Sequence, residues 1–114
     1  MRIHNLTQGT ELASDAREPR GIWGRAIGLL GRSSLHPGEA LILQPCTSIH
    51  TAFMRFPIDV VYVDRSDRVA KVCPNVKPFR FSGILRGGHA VLELPSGTLA
   101  GSATGVGDQL SIES

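Results

Sequence analysis

The chain has 114 residues, a formal net charge of +2 and a hydrophobic fraction of 41%, values typical of a globular protein. The modest charge argues against nucleic acid or a membrane surface as the main partner. No stretch approaches the length of a membrane span, and the amino terminus lacks the apolar core of a signal peptide. We therefore expect one domain over residues 1–114 in the cytoplasm.

The first half of the chain contains few strong secondary-structure signals. Residues 1–18 predict one short strand and a helical segment near 12–17. Residues 21–32 have helical apolar spacing, although their glycines weaken this helix. Residues 39–43 are apolar, follow a His-Pro-Gly turn and predict a strand.

The strongest strand signal is Val60-Val61-Tyr62-Val63, a run of β-branched and aromatic residues. Pro57 has no N–H to donate, so we expect two extended pieces, 46–55 and 58–63, with a kink between them. The segments that follow predict a turn at 64–68, a strand at 69–73, a long loop at 74–88, a strand at 90–94, a helical turn at 98–103 capped by Thr98, and a last strand at 109–112.

Together these segments predict an α+β, mainly β fold. We expect a single compact sheet or small barrel of about six or seven strands with one or two short helices. The 13 glycines and 7 prolines agree with a chain that turns often.

The densest group of reactive side chains lies in the segment before Pro57. Cys46, His50 and Met54 are four residues apart and share one face of either a strand or a helix. Thiolate, imidazole and thioether are ligands that a soft, copper-type cation prefers, and a histidine can also activate a thiol. The spacing is looser than that of a Cys-x-x-Cys metal motif, so ordinary core packing is the favoured interpretation. The sequence assigns no cofactor.

Two charged residues lie among apolar neighbours in the same stretch. Arg55 and Asp59 flank Phe56-Pro57, and an unpaired charge inside a strand is costly. A structural ion pair, either between them or with Arg25, is the favoured interpretation. The functional alternative is a polar cleft at the kink, with His50 beside it and Arg55 receiving an anionic group.

Basic and aromatic residues alternate in the predicted loop, a pattern that can bind a nucleic-acid strand by stacking and charge. The residues are Lys77, Phe79, Arg80, Phe81 and Arg86. So few charges favour a loop that folds back onto the core, and nucleic acid is not the expected partner.

Four ordered motifs resemble the family called domain of unknown function 192. They are R-A-I-G-L-L-G-R at 25–32, S-I-H-T-A-F-M-R-F-P-I-D-V-V-Y-V-D at 48–64, A-V-L-E-L-P-S-G-T at 90–98 and V-G-D-Q-L at 106–110. The resemblance covers about residues 6–112. It implies a small β-rich bacterial or archaeal domain without an agreed activity. The positions that fall on the family pattern are Arg25, Met54, Pro57, Asp59, Glu93, Pro95, Gly97, Gly107 and Asp108.

No catalytic motif accompanies these signals. The chain has no Gly-x-Ser-x-Gly elbow and no strong metal signature. We therefore predict a non-catalytic binding or accessory domain for a small ligand or a protein, with a polar cleft near Phe56-Pro57. The alternative is a thiol–histidine enzyme, or a soft-metal protein, that uses Cys46, His50 and Met54.

Overall fold

The computed structural model describes residues 1–18, 35–43, 56–77 and 89–113, and the backbone of 48–50 and 81–84. These residues form ten strands and one short helix. They are β1 (Arg2–Asn5), β2 (Thr10–Ala13), β3 (Asp15–Arg17), β4 (Glu39–Leu43), β5 (Ser48–His50), β6 (Ile58–Val63), β7 (Val69–Val76), β8 (Phe81–Ile84), β9 (Ala90–Pro95), α1 (Thr98–Ser102) and β10 (Leu110–Glu113).

The strands form three sheets. The largest has the order β3-β4-β9-β6-β7, in which β3 and β4 are parallel and the other pairs are antiparallel. A three-stranded antiparallel sheet has the order β10-β1-β2, and β5 pairs with β8. The two central strands of the large sheet, β9 and β6, are therefore hydrogen-bonded on both sides.

One face of the large sheet packs against the three-stranded sheet, and we call it the inner face. Strand alternation places Ile42, Val61 and Leu92 on it, where they share a core with Ile3 and Leu110 of the smaller sheet. Leu99 of α1 belongs to the same core. This core joins the two ends of the chain, because β1 and β10 lie side by side.

The opposite face of the large sheet is buried as well, and we call it the Glu93 face. Its apolar residues form a second core, which Leu35 also joins: Leu41, Leu43, Ile58, Val60, Tyr62 and Val91. Burial on both faces explains why β4, β6 and β9 are nearly continuous apolar runs rather than alternating ones.

The predicted mainly β fold with a short helix is confirmed. The predicted strands at 39–43, 58–63, 69–73, 90–94 and 109–112 appear as β4, β6, β7, β9 and β10, with small differences at their ends. The helical pattern at 21–32 lies outside the described residues. No helix in the described part of the chain has the length and apolar character needed to cross a bilayer.

Two local predictions were wrong. The helical segment expected near 12–17 is extended, because Ala16 pairs with Ala40 of β4 and tertiary pairing overrides a weak local preference. The loop expected at 74–88 contains the end of β7 and all of β8.

The predicted cap of α1 was also wrong. The helix begins after Gly97, whose φ of 98° lies in the left-handed region, so the N-cap residue is Gly97 and not Thr98. Thr98 Oγ1 instead donates to the carbonyl oxygen of Pro95 at 2.7 Å.

The predicted turn at 64–68 joins β6 to β7 and contains Asp67 in a left-handed conformation. This residue has a φ of 60°, a conformation that aspartate tolerates better than most residues. Asp64 Oδ1 accepts the N–H groups of Ser66 and Arg68, which fixes the turn around it. The Asp67 carbonyl also accepts the Leu110 N–H of β10 at 2.9 Å, so the turn contacts the end of the chain.

We expect Asp67→Val to lower the free energy of unfolding by about 1–2 kcal/mol, because a β-branched side chain is strained at positive φ. Asp67→Asn and Asp67→Gly should stay near wild type. Urea denaturation measures all three, and a Val variant as stable as the Asn variant would contradict the role of the backbone conformation.

Candidate functional site

Most of the residues predicted for a site lie outside the described residues: Arg25, Cys46, Met54 and Arg55. The backbone of His50 lies in β5, opposite Phe81 of β8. The copper-type cluster of Cys46, His50 and Met54 therefore stays a prediction. Among the described residues, no three histidine, cysteine, aspartate or glutamate side chains are grouped as metal ligands would be.

Asp59 is the predicted site residue whose side chain is described, and it is only 1% exposed. Its Oδ1 accepts the backbone N–H of Asn75 at 2.8 Å. Its Oδ2 accepts the N–H groups of Gly97 at 3.1 Å and Leu99 at 2.8 Å. Three backbone donors thus surround one buried carboxylate, which is the usual way to make such burial tolerable.

These bonds hold together three separate parts of the chain. β7 has a register shift opposite Ile58–Val60, and within it Asn75 has a φ of 50°. Pro74 falls in this irregular part of an edge strand, where its missing N–H does no harm. Asp59 accepts from the bulge and from the first residues of α1, so it links β7 and α1 to the centre of the sheet.

Asp59 lies on the inner face, because it alternates with Ile58 and Val60 along β6 and bonds to Leu99 of the inner core. Phe56, by contrast, packs against the apolar cluster of the Glu93 face. The structure therefore places the Asp59 carboxylate and the Phe56 side chain on opposite sides of the sheet. That Asp59 lines a cleft at Phe56-Pro57 stays a prediction.

Glu93 is the second buried carboxyl of the central strands, and it is 5% exposed. It lies in β9 between Leu41 of β4 and Val60 of β6, its partners in register. Among the described residues, no group donates a hydrogen bond to its carboxyl and no cation pairs with it. Asp59 and Glu93 thus lie one residue apart in register, on opposite faces of the same strand pair.

Burial raises the pKa of Glu93 from 4.5 to about 7. The physical cause is loss of hydration, which disfavours the charged form when nothing replaces the water. With such a pKa, both the neutral and the ionised form of the carboxyl are populated near neutral pH. Perturbed groups of this kind concentrate at functional sites.

A row of side chains on the Glu93 face defines the surroundings of this carboxyl. The register aligns Leu41, Glu93, Val60 and Cys73 across β4, β9, β6 and β7. The next row contains Tyr62 and Lys71, and the Lys71 ammonium lies 5.4 Å from the centre of the Tyr62 ring. Glu93 is therefore immediately flanked by aliphatic side chains.

Sequence reasoning used Glu93 only as a position on the family pattern and missed its chemistry. The signal was present, because a glutamate inside the apolar run Ala-Val-Leu-Glu-Leu raises the same difficulty as Asp59 among its apolar neighbours. Burial of β9 on both faces, which the run also indicates, would have placed this carboxyl away from water.

A third buried polar cluster joins the two ends of the chain. Asn5 Nδ2 donates to Asp108 Oδ2 at 2.9 Å and to Thr104 Oγ1 at 3.0 Å. Asp108 also accepts the Gly105 N–H at 3.0 Å. These hydrogen bonds, that from Asn5 first, lower the pKa of Asp108. Because its polar groups are matched to one another, this cluster is structural.

Two sequence comparisons found proteins that are similar to this chain. The family model for domain of unknown function 192, described as an uncharacterised ACR, matches residues 4–112. A UPF0127 protein of Pyrococcus furiosus is 30% identical over 112 residues, which cover 93% of either chain.

Two solved structures resemble this chain. A protein of unknown function from Novosphingobium aromaticivorans has a TM-score of 0.84 at 22% identity, covering 98% of this chain and 84% of that one. A Sinorhizobium meliloti protein, described as a candidate transcription regulator, has a TM-score of 0.78 at 19% identity, covering 96% of this chain and 89% of that one. At these identities the two likenesses show the fold alone.

Replacing Asp59 should destabilise the protein strongly. Asp59→Ala leaves three backbone N–H groups without their acceptor, and we expect a loss of about 2–4 kcal/mol in the free energy of unfolding by urea denaturation. Asp15→Ala is the control: this exposed aspartate pairs with the exposed Arg17 at 3.4 Å, and its loss should change stability by about 0.5 kcal/mol or less. Equal effects of the two substitutions would refute the structural role of Asp59.

Glu93 should make the protein less stable as pH rises. The native state keeps a proton that the unfolded state releases between pH 4.5 and about 7. The shift corresponds to about 3 kcal/mol lost over that window, with no further loss above it. Glu93→Gln removes this contribution, so its stability relative to wild type should increase from pH 5 to 7.5.

Urea denaturation at several pH values tests this expectation. The difference between wild type and Glu93→Gln cancels the contributions of histidines and other carboxyls. Glu113→Gln, at the exposed end of β10, is the matched control. If the difference between wild type and Glu93→Gln does not vary with pH, the Glu93 carboxyl is not buried as described.

Proposed function

The chain belongs to the domain of unknown function 192 family, as its four motifs predicted, and we propose that it is a non-catalytic binding domain with its ligand site on the Glu93 face. The observation that carries the proposal is the buried Glu93 carboxyl, which has no donor or cation among the described residues. Every fully buried side-chain polar atom in the described part of the chain has a hydrogen-bond partner, so a carboxyl that is only 5% exposed and has none requires an explanation.

A ligand provides that explanation better than a structural role does. Asp59, one residue away in register, is a structural carboxyl, and three backbone N–H groups donate hydrogen bonds to it. Glu93 receives no comparable support from β4, β6 or β9. A group that a structural role does not account for, held on rigid central strands, is well suited to contact a partner molecule.

The predicted cleft at Phe56-Pro57 fits the same location. Phe56 is half-buried against the apolar cluster of the Glu93 face, while Pro57 is exposed. Ile58, next along β6, pairs with Pro95, two residues beyond Glu93. The proposed site therefore extends from Glu93 towards Phe56, and a contribution from His50, Arg55 and Arg25 stays a prediction.

A binding role is favoured over catalysis by what surrounds the carboxyl. General acid–base or nucleophilic chemistry needs a second reactive group within hydrogen-bonding reach. The described residues directly opposite Glu93 or two residues along β9 are Leu41, Val60, Val91 and Pro95, and no hydrogen bond joins Glu93 to Glu39 or Tyr62 at the diagonal positions. The thiol–histidine alternative depends on Cys46, His50 and Met54 and stays a prediction.

We expect small molecules to bind at the Glu93 face. The test is nuclear magnetic resonance of the 15N-labelled protein with three matched fragment sets: cationic, anionic and neutral. At least one set should shift the backbone amides of Leu41, Val60 and Val91 in a saturable way, while those of Ile3 and Ser111 in the smaller sheet stay unchanged.

Phe56→Ala should weaken the same binding several-fold, because it removes an apolar contact beside the site. Leu6→Ala is the matched control, since Leu6 is 61% exposed in the β1–β2 turn. If no fragment of any charge shifts the amides of the Glu93 face, or if Leu6→Ala weakens binding as much as Phe56→Ala does, the proposed function fails.

A further inference from the structure

We infer that the Glu93 carboxyl receives a cationic group, the ammonium or guanidinium of a small aliphatic amine or guanidine. This inference rests on the binding function proposed above and names the ligand class of that site. Three features support it: the described residues supply no donor or cation to the carboxyl, the side chains beside it are apolar, and β4 is the less enclosed of the two strands that flank it.

In the part of the chain that the structure describes, no positive charge and no hydrogen-bond donor contacts the Glu93 carboxyl. An ionised carboxylate has two oxygens that accept about four hydrogen bonds and donate none. At Asp59 the backbone supplies three donors, whereas β4, β6 and β9 use their own N–H groups in the sheet around Glu93. An ammonium or guanidinium would supply charge and donors together, which a neutral or anionic group cannot do.

The neighbours of Glu93 suit an aliphatic stem. Leu41 and Val60 flank the carboxyl across the sheet, and Val91 is two residues before it on the same face. None of these side chains competes for the ligand's donors. A cation attached to several methylene groups would place its stem along Leu41 and Leu43 of β4, which keep some exposure, while its head contacts the carboxylate.

Exposure is uneven across the face and indicates where a ligand enters. Val60 and Val91 are fully buried, at 0%. Leu41 and Leu43 of β4 keep 8% and 7% exposure, and Glu93 keeps 5%. Of the two strands that flank Glu93, β4 is thus the less enclosed among the described residues, and we expect a small molecule to approach from that side.

The Glu93 face carries several other titratable groups, most of them on the outer strands. In the described part of the chain, alternation places these titratable groups on that face: Asp15 and Arg17 of β3, Glu39 of β4, Tyr62 of β6, and Lys71 and Cys73 of β7. Lys71 lies over the Tyr62 ring, Arg17 pairs with Asp15, and Glu39 accepts the His36 N–H at 2.8 Å. None of them is directly opposite Glu93 in register; Glu39 and Tyr62 are the two at diagonal positions on the neighbouring strands.

The site therefore binds a cation in competition with a proton. Only the ionised carboxylate attracts the ligand, and with a pKa of about 7 few molecules are ionised at pH 5.5. Alkylammonium and guanidinium ions stay charged up to pH 8 and beyond. Affinity should thus rise about 30-fold from pH 5.5 to pH 8, and binding should release a proton.

The experiment compares four probes of one size: butylammonium, butylguanidinium, butyrate and butan-1-ol. Amide shifts at Leu41, Val60 and Val91 are titrated at pH 5.5, 7 and 8. The cations should bind with the expected rise in affinity, and hexylammonium should bind more tightly than butylammonium, by at most about fourfold per added methylene. The 13C signal of the Glu93 carboxyl should show a lower pKa when the cation is present.

Glu93→Gln should abolish both the cation binding and its pH dependence, while Glu113→Gln should leave them unchanged. Because the wild-type pH profile and the carboxyl titration need no variant, the inference can be tested even if Glu93→Gln fails to fold. Binding of butyrate or butan-1-ol without the cations would overturn the inference and keep the proposed function. Binding of no probe to this face, or a Glu93 pKa below 5 in the free protein, would overturn both.

Discussion

The structure depends on the burial of β6 and β9 on both faces, because every polar side chain in these strands must be matched or become neutral. Two carboxyls meet this constraint one residue apart, on opposite faces of one strand pair. Asp59 has three backbone donors, whereas Glu93 has none among the described residues and holds a proton instead. Asp59 therefore has a structural role on the inner face, whereas Glu93 has the proposed binding role on the other face.

The bonds to Asp59 also explain irregular features nearby. A positive φ at Asn75 and another at Gly97 both turn backbone N–H groups towards the carboxylate. Left-handed backbone is strained at a residue other than glycine, so Asn75 keeps this conformation only with support from its surroundings. That support includes the hydroxyl of Ser96, which donates to Asn75 Oδ1 at 2.8 Å. The polar centre thus organises the edge of the sheet and the start of α1 from one position in β6.

Much of this fold could be predicted from the sequence, and the missed parts share a cause. Apolar runs flanked by turn residues located β4, β6 and β9, because both faces of these strands are buried and the pattern is strong, and the turn at 64–68 located β7 after β6. β3 and β8 were missed because each is short and gains its conformation from a distant partner. Asp59 was recognised as a charge that needs a partner, but its partners were expected to be side chains. Backbone donors from β7 and α1 leave no mark in the sequence, so neither the identity of its partners nor its position on the inner face could be predicted.

The same reasoning explains why an unmatched carboxyl can persist at the centre of the sheet. Its burial costs about 3 kcal/mol at neutral pH, against a total stability of about 5–15 kcal/mol for ordinary domains. Strands hydrogen-bonded on both sides can sustain such a loss without local unfolding, whereas a loop would turn the carboxyl out into water. Rigidity therefore keeps Glu93 at 5% exposure, where a proton, or the external cation proposed above, neutralises it. A partner that supplies charge and donors recovers free energy that the fold has already lost, which makes this position more favourable for binding than an exposed carboxylate.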